Sequence, residues 1–102
     1  MTTTADLKNQ LTTEAREIHE ELITLVFEQP ELSQKRRKLE RDRDFNAAAA
    51  VNNQYVANHE RIQYLDSQLA QHDGAYDLHG TILAAVKAER RAARQAARAA
   101  AN

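Results

Sequence analysis

The sequence predicts an all-α fold: two or three long helices with an antiparallel helical hairpin and coiled-coil-like packing. Three observations predict it. Two Gly and one Pro punctuate the 102 residues, too few for the turns of an all-β chain. From Leu7 to Leu25 the apolar residues recur three or four apart, which is one face of an α-helix. From Ala48 onward they recur every seven residues, the repeat of helices packed on helices.

The first helix is expected over residues 4–29. Thr3-x-x-Asp6 has the spacing of a helix start, where a hydroxyl accepts a backbone N–H and an acid faces the positive end. Leu7, Leu11, Ala15, Ile18, Leu22 and Leu25 then form a single stripe. Pro30 lacks a backbone donor and disfavours helical geometry at Gln29. The helix is therefore expected to stop there, and a hairpin is expected to turn about Pro30.

The second helix is expected over 31–72. Pro30 suits its first turn, with Glu31 beside it. Lys35 to Asp44 is charged at every position but Leu39. Beyond Phe45 one heptad series reads Ala48, Tyr55, Ile62, Leu69, Tyr76 and Leu83, and its companion reads Val51, Asn58, Leu65, His72, His79 and Val86. The expected seam is Tyr55, Ile62, Leu65, Leu69, Tyr76, Leu83 and Val86, with Asn58 as a polar interruption that sets register.

A break near Gly74, which suits a left-handed helix end, is favoured over a single rod running through both glycines. The third helix is then expected over 75–100. Residues 84–101 contain ten Ala, giving very high helix propensity and little to bury. Part of it is expected to be a frayed Ala/Arg-rich tail.

Composition bounds the rest. Hydrophobic residues make up 42% of the chain, nineteen of them Ala, enough for a single helical domain over 1–102 and too little for two. There is no Cys, so disulfide frameworks and thiolate chemistry are excluded. No apolar run is long enough to span a membrane. No basic segment followed by an apolar one marks a signal peptide, so a cytoplasmic location or one within a virion or other assembly is expected.

Net charge is −1, but it is segregated. Residues 1–31 carry Lys8 and Arg16 against seven acids, whereas 82–102 carry five bases against Glu89 alone. Blocks of opposite sign suggest pairing between segments or docking on a charged partner. Glu14, Glu17, Glu21 and Glu28 line one face of the first helix. A turn at Pro30 would lay Glu17 and Glu21 beside Arg37 to Arg43. Lys87, Arg91, Arg94 and Arg98 line one face of the last helix and form a charged docking face.

No catalytic, metal-binding or cofactor-binding residues are expected. Nucleophile-elbow, phosphate-loop and dinucleotide-turn motifs are missing, as is H-E-x-x-H. The paired acids at 14/17 and 20/21 lack the Glu-x-x-His of a di-metal bundle. His72 and His79 share a series, about 10 Å apart along a helix. A turn at Gly74 or a symmetric assembly would bring them together as an interfacial pair whose charging weakens association below about pH 6.

Leu22, Ile23, Leu25, Val26 and Phe27 wrap far round the first helix. A helix apolar over so much of its girth needs partners on more than one side, so these five are the expected interface. The expected role is non-enzymatic: a helical subunit that self-associates or bridges parts of a larger assembly, such as a virion component or phage accessory protein. The competing role is a small inhibitor or adaptor that docks charged helix faces on one host protein. Nucleic acid is the weaker partner, since no aromatic accompanies the basic stripes to stack on bases.

Overall fold

A computed structural model describes residues 3–101 as four helices: α1 (Thr4–Lys8), α2 (Thr13–Arg41), α3 (Phe45–Leu69) and α4 (Ala75–Ala101). The fold is all-α, with no strand among the described residues. No helix among them is long and apolar enough to cross a membrane.

The predicted start of α1 is present as a reciprocal capping box. The Thr3 hydroxyl accepts from Asp6 N–H and the Asp6 carboxylate accepts from Thr3 N–H, each at 3.1 Å. These bonds to the ionised form hold the Asp6 carboxyl below its ordinary range. The expected single helix over 4–29 breaks after Lys8, however, and a second start follows where the Thr12 hydroxyl accepts from Ala15 N–H at 3.2 Å. A threonine at a helix edge competes for backbone donors that a continuous helix would use internally. The apolar stripe survives the break. Leu11, Ala15 and Leu22 are core, and Leu7, Ile18 and Leu25 pack against it.

The largest correction concerns Pro30. It does not turn the chain; α2 runs through it to Arg41. Interior proline costs a helix about 3 kcal/mol, but the turns beyond it bury Leu32 and half-bury Leu39, while α3 buries Ala48 and Val51. Burial at about 1.5–3 kcal/mol per large apolar side chain offsets the lost hydrogen bond. The reversal comes at residues 42–44. Asp44 N–H reaches Leu39 C=O at 2.9 Å and Arg43 N–H reaches Glu40 C=O at 3.1 Å, the two bonds of a Schellman end. Arg43 takes the left-handed position with φ +59°. The Asp44 carboxylate then starts α3 by accepting from Ala47 N–H at 3.3 Å. The helix expected over 31–72 is thus the end of α2 plus all of α3.

Residues paired between α2 and α3 rise along one helix and fall along the other. Arg36 bonds Asn52 at 3.0 Å, Gln29 Nε2 donates to Tyr55 C=O at 3.0 Å, and Arg61 bonds Glu21. The second reversal falls at Gly74, with φ +72°, as expected, and Gly80 sits inside α4.

The heptad register does not cross Gly74 intact. α3 buries Ala48, Val51, Leu65 and Leu69, whereas α4 buries Ala75, His79 and Ile82. Tyr76, expected in the seam, is 50% exposed. Past the left-handed glycine His79 keeps its expected place, but Ala75 and Ile82 turn inward in place of their neighbours Tyr76 and Leu83. The main core lies where α1, the start of α2, the end of α3 and the start of α4 converge. Away from it α4 makes few contacts, and the molecule spreads to 47 × 40 × 15 Å.

Candidate functional site

Beyond the core, α2 and α4 diverge and flank an open groove of about 720 Å³. Val26, Phe27 and Pro30 of α2 form its apolar floor, and Lys87, Arg90, Arg91 and Arg94 of α4 form its wall. The Arg90 guanidinium lies over the Phe27 ring, 3.7 Å from its centre, a cation–π contact that ties the two helices at the groove's inner end. Lys87, Arg91, Arg94 and Arg98 are all exposed. Among the described residues none of them enters an ion pair.

The expected interface residues separate into two groups. Leu22 is sealed in the core at 1% exposure and is corrected to a core residue, because it lies on the same stripe as Ala15 and Leu11. Leu25 and Val26 are half-buried against the core, Ile23 is half-buried outside it, and Phe27 is half-buried beneath Arg90. Of the expected seam, Leu65 and Leu69 are buried, while Tyr55, Ile62, Leu83 and Val86 are half-buried.

Charge pairing also differs from expectation. Because the chain turns at 42–44, Glu21 does not meet Arg37 to Arg43; it holds Arg61 through two hydrogen bonds, one at 3.0 Å. That guanidinium keeps the Glu21 carboxyl below its usual range. Glu20 pairs with Lys8 at 3.2 Å. Glu14 and Glu17 are exposed and, among the described residues, enter no ion pair.

The second notable feature is buried. His79 does not pair with His72. Its Nδ1 lies 2.8 Å from Nδ1 of His19, with the rings at 77° and their centres 5.0 Å apart. His19 has no solvent exposure and His79 only 5%. Burial, then the neighbouring His79, pushes the His19 imidazole down to about 4, and burial lowers His79 as well. Among the described residues His19 Nε2 has no hydrogen-bond partner. The sequence did carry a signal for His19: it sits four after Ala15 and three before Leu22, on the buried stripe. Arg90, one position before the basic face, had no comparable signal.

No cluster of three metal-ligating side chains occurs among the described residues. No family model, curated protein or solved structure matches the chain.

Proposed function

We propose that the chain is a non-enzymatic helical subunit that self-associates within a larger assembly, its α2–α4 groove covered by a second copy. One observation carries this reading: the folded chain exposes far more surface than it needs to. Its accessible area is 7304 Å², against about 5800 Å² for a compact monomer of this mass. Its radius of gyration is 16.6 Å, against about 13 Å for a compact domain of this length. The excess of about 1500 Å² exceeds the roughly 800 Å² per partner of a standard interface.

Charge selects the occupant. Among the described residues the groove's basic wall forms no ion pair with a carboxylate, Glu31 on the groove's α2 side included, and the exposed Glu14 and Glu17 form none with a base. A second copy supplies both. In this reading α2 and α3 form a rigid antiparallel hairpin of the coiled-coil kind, and α4 is the arm that reaches across. Val26 and Phe27 provide the apolar anchor, and the opposed charges provide register and rate.

A charge exchange tests it. Arg91→Glu with Arg94→Glu is expected to dissociate the assembly, as is Glu14→Arg with Glu17→Arg. Mixing the two doubly substituted chains is expected to restore a heteromeric complex. Failure of the mixture to associate removes the second copy from the groove, and a wild-type chain that is monomeric at every salt concentration favours a different acidic protein as occupant.

A further inference from the structure

The buried histidine pair stands apart from the groove and from the association reading. His19 comes from α2 and His79 from α4, and together they form the hydrogen bond across a helix pair that otherwise packs sparsely. Two imidazole nitrogens at 2.8 Å share one proton, so one ring donates and the other accepts.

The neutral arrangement that leaves no buried donor unpaired has His19 donating from Nδ1 to Nδ1 of His79. His19 Nε2 is then a bare lone pair, which matches its lack of a partner. Adding one proton to the pair changes this, whichever ring receives it. If His19 takes it, Nε2 becomes a donor with no acceptor. If His79 takes it on Nδ1, His19 must accept at Nδ1, and its own proton moves to the same Nε2. Either way a buried N–H is stranded, at the cost of its desolvation. A second proton sets two N–H groups head to head.

The surrounding charges do not cancel this. Lys8 from α1 opposes a positive His19, and Glu20 on α2 favours one, but those two side chains are paired with each other. Asp66 from α3 favours a positive His79, yet it supplies no acceptor to the stranded His19 nitrogen.

We infer that the His19–His79 pair is a proton-operated latch: neutral, it clamps α4 to α2, and protonated, it releases α4 while the helices themselves persist. Release opens the first turns of α4, where Ala75 and Ile82 are buried in the core and Leu78 and Val86 pack against it, whereas α4 from Lys87 to Ala101 is already exposed along its whole length.

The absence of native Cys allows spin labels at Lys35→Cys on α2 and Ala97→Cys on α4, both exposed positions. Their separation, measured at concentrations where the chain is dilute, is expected to hold between pH 8 and 7 and to lengthen and broaden below about pH 5, with helical circular dichroism retained. His19→Leu combined with His79→Leu is expected to abolish the response. An unchanged distance at pH 4.5, loss of helix in step with the distance, or the same opening in the double variant overturns the latch. Should that variant fail to fold, the ring-proton resonances of wild-type His19 and His79 decide the matter. Titration in step with the distance supports the latch, and titration of both at or above the ordinary 6.5 with no change in distance overturns it.

Discussion

His19 shows how a single buried ring converts pH into stability. Its imidazole is held at about 4 in the folded chain, by burial first and by His79 second, against an ordinary 6.5. The unfolded chain therefore binds the proton more readily, and folding is penalised where the two states differ. Stability is full above about pH 7 and is lost as pH falls through 6.5 toward 4, by on the order of 3 kcal/mol for this ring. Urea midpoints at pH 7.5, 6 and 4.5 check the sign. A midpoint that rises on acidification contradicts it. Arg43 is the other residue with a local cost, since a side chain in the left-handed region is disfavoured relative to glycine. Arg43→Gly is expected to stabilise the fold by about 1 kcal/mol, read as a higher urea midpoint with an unchanged slope.

The helices explain which features were legible in the sequence. Periodicity found the stripe from Leu7 to Leu25 and the buried face of α3, because one-sided burial writes itself at three- and four-residue spacing. The caps at Thr3 and Gly74 were legible because they use the residues their geometry favours. The turn at 42–44 was not, since a Schellman end that places Arg rather than Gly at φ +59° leaves no mark in composition. Pro30 misled for the opposite reason: a strong local preference was overridden by the packing of Leu32 and Leu39 beyond it. The groove needed the third dimension, because only the divergence of α4 from α2 sets Phe27 beneath Arg90. If α2 is continuous through an exposed proline, Pro30→Ala restores a helix hydrogen bond, and a gain of about 2–3 kcal/mol is expected in chemical denaturation. A loss would show that the proline shape itself is needed.

As a whole the molecule is flat, with a core at one end and two arms leaving it. A chain with few large apolar residues has spent them where four helix segments converge, so α4 beyond Val86 and the α2–α3 arm hold little in common. Such a shape exposes excess surface by construction, and opposite charges lie on its separated parts. Added salt is expected to weaken association, because the pairing charges are exposed and screened within about 10 Å at 0.1 M. The most direct measurement is the mass in solution, by sedimentation equilibrium of the untagged chain at neutral pH and low salt from one to one hundred micromolar. The account predicts a mass of two or more chains that falls toward one on dilution and on adding salt. A single-chain mass throughout, with a radius of gyration close to that of a compact domain, would contradict it.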